Sequence, residues 1–166
     1  MSTRCQVKLV WGHLKKDFAN TEEMLKCESV ILYHHSDGYP SFMGLYLEKM
    51  IGRVATYLEA QGVPYWWDDE RVSACMILMS VASYSEPVLP WEVAGFPPSE
   101  HRMRIGGSVP SFHPSAAWHG DIEYVWLVQL GPENGEFKVR CFEPNLETEI
   151  DWRAEVERKK AENDSG

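Results

Sequence analysis

The chain lacks the features that most readily assign a protein of 166 residues to a functional class. Its four cysteines form no C-x-x-C pair, which argues against a structural zinc ribbon or a dithiol redox motif. It carries 16 Lys and Arg against 25 Asp and Glu, and this balance argues against duplex nucleic acid as a partner, since such binding depends on clustered basic side chains. No apolar run approaches the roughly 18 residues of a membrane-spanning helix, and the first residues show no cleavable leader. We therefore expect a cytoplasmic protein without a membrane partner.

Familiar catalytic motifs are also missing. The sequence has no G-x-S-x-G elbow, no phosphate-binding P-loop and no H-E-x-x-H pair. Gly106 and Gly107 lack the strand and helix of a dinucleotide-binding fingerprint. Cys75 and Cys141 fall on faces that the apolar pattern assigns to the core, so a cysteine nucleophile has little support. These absences favour a binding role over an enzymatic one.

The pattern of apolar residues predicts an α+β fold. Alternation of apolar and polar residues indicates a half-buried strand over 6–11, and a β-branched run indicates a second strand over 29–33. Two further strands, joined by a turn at 131–135, indicate a hairpin over 121–142. Apolar spacing of three and four residues indicates a long amphipathic helix over about 41–61 and a second helix over about 69–82. We expect an antiparallel sheet with both helices packed on it.

Two segments differ from this core in composition. Six of the ten prolines lie within residues 83–118, which predicts a long Pro-rich loop, and a loop of that length in a compact domain is often functional. It is therefore a candidate lid. In the charged segment 147–166 only Trp152 and Val156 are spaced to share a helix face, which is typical of a solvated helix that frays. We expect one domain over 1–146 followed by a charged tail.

The stretch YHHSDGYP, residues 33–40, is the most unusual polar segment. Helix capping by Asp37 or Ser41 and a positive φ at Gly38 would explain it in structural terms alone. If the strand ending at Tyr33 were the antiparallel neighbour of the strand starting at Asp121, however, the turn would meet that second strand. The candidate ligand-binding residues in that arrangement are His35, Asp37, Tyr39, Trp118, His119, Asp121 and Glu123. Their imidazoles and carboxylates can hold a divalent metal or a polar ligand, on which the aromatic rings can stack.

With its turn H-x-D-G-Y-P and its later strand D-I-E-Y, the chain resembles a family of small uncharacterised proteins of bacterial and phage genomes. The resemblance rests on two short blocks, about a sixth of the chain, and implies no reaction. It implies as shared positions His35, Asp37, Gly38, Tyr39, Pro40, Asp121, Glu123 and Tyr124. The phage context implies an accessory role, such as counteracting a host defence or sequestering a small signal molecule.

Three functions remain open from the sequence. The first is a non-enzymatic protein that binds a small polar ligand or a partner segment in a pocket of His, Asp and aromatic side chains, with no cofactor. The second is a metal-dependent hydrolase with Glu123 as base and the divalent metal held by His35, Asp37, His119 and Asp121. The third is a protein-interaction module that acts through exposed aromatics at 65–67 and Trp91. We rank them in that order.

Overall fold

The structure is a computed structural model that describes residues 3–11, 21–62, 66, 68–80 and 111–166. Its helices are α1 (Thr21–Lys26), α2 (Pro40–Ala60), α3 (Asp69–Met79) and α4 (Trp152–Asp164). Its strands are β1 (Cys5–Trp11), β2 (Ile31–His34), β3 (Phe112–Ser115), β4 (Tyr124–Leu130), β5 (Phe137–Phe142) and β6 (Glu149–Ile150). The predicted α+β class is confirmed, and both predicted helices form within two or three residues of the expected bounds.

The six strands form one mixed sheet in the order β3-β2-β1-β4-β5-β6. β1 pairs antiparallel with β2 but parallel with β4, whereas the remaining neighbours are antiparallel. The expectation of a wholly antiparallel sheet is thus wrong at its centre, and β2 and β4 are separated by β1 instead of being neighbours. Periodicity marks a strand but does not state its direction, and only the long connection between β1 and β4 allows the parallel pairing.

The larger core lies between one face of the sheet and helices α2, α3 and α4. Alternate residues of the central strands point into it, among them Val7, Leu9, Trp126 and Val128, all fully buried. α2 places its apolar stripe against them through residues such as Met50. The side chain of Asp68 caps α3 by accepting a hydrogen bond from the backbone N–H of Arg71 at 3.0 Å.

The opposite face of the sheet is covered as well. α1 packs Met24 and Leu25 there, and Ile122 from the segment before β4 joins them over Val125. The polar residues of β1 are buried on this face: Gln6 is 0% exposed and bonds to the loop after β3, and Lys8 is 2% exposed and lies beside α1. The Lys8 ammonium donates to the carbonyl of Leu25 at 2.9 Å and also to that of Cys27, and burial lowers its pKa. The expectation that β1 is only half buried is therefore wrong.

Edge strand β3 falls inside the span predicted to be a loop. It is short and contains Pro114, which a central strand would reject because proline has no N–H to donate, whereas an edge strand tolerates it. The rest of that span, residues 83–110 with the candidate lid, lies outside the described residues.

The charged C-terminal helix α4 is anchored in the main core. The side chain of Asp151 caps it by accepting from the N–H of Ala154 at 3.1 Å. Trp152 and Val156 are 4% and 5% exposed in the same cluster as the sheet and α2, and the Trp152 indole donates to the carbonyl of Val139 at 3.0 Å. Over the described part of the chain, no helix is both long and apolar enough to cross a membrane.

Candidate functional site

Gly38 is needed in the turn between β2 and α2 for a reason other than the positive φ that the sequence predicts. Asp37, and not Gly38, takes the left-handed conformation, with φ 56°. Gly38 is buried against the start of β1, where an added Cβ would lie 2.6 Å from that of Cys5. Its N–H donates to the carbonyl of Thr3 at 2.9 Å, and its carbonyl accepts from the indole of Trp126 at 3.1 Å. Gly38 is thus required for close approach of two backbones.

The turn does not depend on side-chain capping. The residue at the N-cap of α2 is Tyr39, which makes no side-chain cap bond, and Pro40 occupies the first helical turn. Proline suits that position because its missing N–H would have no partner within the helix. The capping role proposed for Asp37 or Ser41 is therefore wrong.

Residues 33–40, which we call the histidine turn, lie at the same end of the sheet as the start of β4, with β1 between them. Cys5 at the start of β1 pairs with His34 on one side and with Tyr124 on the other. β2 is antiparallel to β1 and β4 is parallel to it, so the C-terminal end of β2 and the N-terminal end of β4 lie at the same end of the sheet. The two segments therefore lie at the same end of the sheet, with the residues of β1 between them.

Tyr33 is the centre of an aromatic group at this end of the sheet, which we call the histidine cluster: Tyr33, His35, His113 and His119. The ring of Tyr33 lies 4.9 Å from that of His119, 5.0 Å from that of His113 and 6.3 Å from that of His35. Its hydroxyl is 3.3 Å from Nδ1 of His35. Tyr33 itself is 7% exposed, while the three imidazoles are exposed. The cluster thus has a buried aromatic floor with three accessible polar rings.

Sheet register explains how these residues meet. His113 of β3 pairs with Tyr33 of β2, which pairs in turn with Gln6 of β1, so the three side chains form a row across one face of the sheet. His119 arrives from the loop after β3. Gln6 holds that loop: its side-chain amide N–H groups donate to Ser115 Oγ at 3.0 Å and to the carbonyl of Ala117 at 2.9 Å, and its oxygen accepts from the backbone N–H of His119 at 2.7 Å.

The loop side chains form a short polar chain. Ser115 Oγ is 2.9 Å from Nε2 of His119, and Nδ1 of the same ring is 3.9 Å from Oδ1 of Asp121. The other carboxylate oxygen of Asp121 is 3.3 Å from the guanidinium of Arg4. The backbone N–H of Arg4 donates to the carboxylate of Glu123 at 3.4 Å, so both acids of the D-I-E-Y segment are held by one arginine.

Burial raises the pKa of the Tyr33 phenol, and the negative charge of Asp121 raises it further, although Arg4 acts in the opposite sense. The phenol therefore stays protonated at neutral pH and keeps a hydrogen to donate.

The predicted site residues divide into two groups. His35, His119, Asp121 and Glu123 lie in or beside the histidine cluster. Asp37 lies in the turn that follows His35, and Tyr39 packs on Phe42 with ring centroids 6.0 Å apart. Trp118 lies on the same face of the sheet, but its ring is 5.9 Å from the Lys8 ammonium.

Several residues of the site escaped the sequence interpretation: Arg4, Gln6, Tyr33, His113 and Ser115. The apolar pattern marks Tyr33 only as the last residue of a strand, and it does not predict β3. Gln6 is a polar residue of a strand whose alternation predicts that its polar side chains face the solvent.

The described residues contain no group of three or more His, Cys, Asp and Glu side chains that could hold a metal ion. In particular, Asp37 does not join His35, His119 and Asp121. The ligand set of the hydrolase alternative is therefore not assembled in this part of the chain.

A separate groove of about 520 Å³ lies between α1 and the β5-β6 turn. Leu25, Phe142 and Leu146 supply its apolar wall. Its arginine, Arg140, is already held by both carboxylate oxygens of Glu149 at 2.7 Å. The groove includes none of the predicted site residues.

The chain matches no protein-family model, no curated protein and no solved structure. The resemblance to small bacterial and phage proteins therefore stays a prediction, and the function must be argued from the site.

Proposed function

We propose that this protein binds a small polar ligand on the histidine cluster. The observation that carries the proposal is that three exposed imidazoles, those of His35, His113 and His119, surround the single buried ring of Tyr33. Ligand sites typically combine an apolar wall with a few polar groups held in place, and the cluster has both.

The chemistry of the cluster restricts the ligand. Each neutral imidazole offers one donor and one acceptor, and the protonated phenol of Tyr33 adds a donor. Arg4 and Asp121 place one charge of each sign at the rim, 3.3 Å apart, where they largely cancel. We therefore expect a ligand that is uncharged or weakly charged and rich in carbonyl or hydroxyl groups, with a flat portion that can lie on the rings.

The other two functions have less support. The interaction module depends on exposed aromatics at 65–67 and Trp91, but Trp66 is only 3% exposed and its indole donates to the carbonyl of Glu136 at 3.0 Å. The remaining three aromatics lie outside the described residues. The metal-dependent hydrolase needs the ligand set that the described part of the chain does not assemble.

The proposal is tested by NMR of the imidazole side chains during titration with a panel of small esters, amides and polyols. We expect hits to shift the signals of His35, His113 and His119 together. His113→Ala should weaken their binding at least tenfold, because the ring that flanks Tyr33 on the β3 side is removed.

Tyr39→Ala provides the matched control, since it removes an exposed aromatic from the same turn but outside the cluster. Its affinity should equal that of the wild type. The proposal is wrong if the hits perturb other signals and leave the three imidazoles unchanged, or if both variants lose binding equally.

A further inference from the structure

Ser115, His119 and Asp121 stand in the order of a nucleophile, a general base and a group that orients the base. Ser115 Oγ is 2.9 Å from Nε2 of His119, and Nδ1 on the far side of the ring faces Asp121 Oδ1 at 3.9 Å. We propose that these three residues cleave small carboxylic esters bound on the histidine cluster. The inference rests on the proposed function, since the ester must first bind there.

Asp121 favours the tautomer that this reaction needs. A carboxylate beside Nδ1 stabilises the N–H on that nitrogen, which leaves Nε2 free to accept the hydrogen of Ser115. Arg4 holds the other carboxylate oxygen of Asp121 at 3.3 Å and so fixes the acid beside the ring. The distance of 3.9 Å exceeds a hydrogen bond, but both side chains are exposed, and such contacts often tighten only when the substrate is bound.

Gln6 aligns the nucleophile with its base. It is fully buried, and it binds Ser115 Oγ, the carbonyl of Ala117 and the backbone N–H of His119. The loop between the two reacting groups is thereby fixed to the central strand. Ser115 Oγ is also 2.9 Å from the carbonyl of Ala117, so its single hydrogen can rest there when the imidazole is protonated.

The reaction balances without a metal or redox partner. Ser115 Oγ attacks the ester carbonyl carbon and transfers its proton to Nε2 of His119. The tetrahedral intermediate then breaks the bond between the carbonyl carbon and the alcohol oxygen, and His119 gives its proton to the departing alcohol. Water attacks the acyl-serine with the same imidazole as base, which releases the carboxylic acid and restores the serine.

This arrangement is not predictable from the sequence, because it matches none of the familiar serine motifs. All three side chains come from seven consecutive residues, with the serine at the end of an edge strand and the base and acid in the loop that follows. The three groups therefore lie on one short segment, which Gln6 and Arg4 hold in place. Nearby, the ring of Tyr33 lies 4.9 Å from that of His119 and limits its rotation.

The experiment uses the full chain with two probes, an alkyl fluorophosphonate and p-nitrophenyl acetate. We expect the phosphonate to add one phosphonyl group to Ser115, located by mass spectrometry of the intact protein and its peptides. We expect p-nitrophenyl acetate to give a burst of one p-nitrophenolate per chain. His119→Gln should slow both reactions by about 100-fold or more, the scale of a lost general base.

Serine variants separate chemistry from folding. Ser115→Ala should abolish the burst, and Ser115→Cys should restore it, because the thiol supplies a nucleophile of similar size at the same place. Ser165→Ala, at the exposed end of α4, is the control and should react like the wild type. For the positioning residue Asp121, Asp121→Asn should slow the burst and Asp121→Glu should recover part of it, while both variants keep the wild-type melting temperature.

Labelling that persists in Ser115→Ala, or a wild type that gives neither adduct nor burst, would overturn the catalytic inference. The NMR titration separates this result from failure of the proposed function. Amide analogues that still shift the three imidazole signals would leave the binding site standing without its chemistry. If those signals do not respond to any probe, both proposals fail.

Discussion

Two glycines in α2 should respond to alanine in opposite directions. A Cβ added at Gly44 would lie 2.2 Å from Cε3 of Trp152, and two further ring carbons would be 2.6 Å away. A Cβ added at Gly52 in the same helix would meet no atom within 4 Å. Neither glycine has a positive φ, so the two differ in packing and not in backbone strain.

The magnitudes follow from the surroundings of the indole. Carbon atoms in contact prefer a separation of about 3.5–4 Å, so the Trp152 ring must move by about 1 Å or more. Overpacking of this kind costs about 1–3 kcal/mol, and loss of the hydrogen bond to Val139 would add about 1–3 kcal/mol. The better helix propensity of alanine returns about 1 kcal/mol. We expect Gly44→Ala to destabilise the protein by about 1–5 kcal/mol and Gly52→Ala to stabilise it by about 0.5–1 kcal/mol.

Urea unfolding followed by circular dichroism measures both effects. With a slope of about 2 kcal/mol per molar urea, Gly44→Ala should lower the midpoint by about 0.5–2.5 M, while Gly52→Ala should raise it slightly. Repeating both substitutions in a Trp152→Ala background isolates the clash, because the cost at Gly44 should then vanish. Equal effects at the two glycines, or a cost at Gly44 that persists without the indole, would refute the packing of α4 on α2.

Three further perturbations test other parts of the structure. Burial lowers the pKa of His34 from its ordinary 6.5 to about 4. Between these pH values the unfolded chain binds a proton at this imidazole and the folded protein does not, so the free energy of unfolding should fall by about 3 kcal/mol as the pH is lowered from 6.5 to about 4. Melts at pH 7, 6 and 5 should show that the wild type loses more than His34→Leu, and equal losses would contradict the assignment. At Asp37, with φ 56°, Asn and Gly should be nearly neutral in denaturant unfolding, whereas Ala should cost about 1 kcal/mol, and three equal values would exclude the left-handed turn. Met50→Ala should cost about 2–5 kcal/mol because the side chain is 0% exposed, whereas the exposed Lys160 should tolerate alanine, and a similar cost at both would remove the core assignment.

Most of the helices and strands, and much of the core, could be predicted from the pattern of apolar residues. The apolar spacing of α2, the hairpin of β4 and β5, and the strands at 6–11 and near 31–34 were all readable, because each buries a face whose period matches its own geometry. The edge strand β3 was not, since four residues with a proline carry too little periodic signal.

Which polar residues come into contact depends on how the strands and helices assemble. The parallel pairing of β1 with β4 puts Arg4 between the histidine turn and Asp121. The loop after β3 lies against Gln6, which becomes the buried support of Ser115 and His119. Neither fact leaves a local trace in the sequence, because strand direction and the covering of a sheet face depend on contacts between residues far apart along the chain.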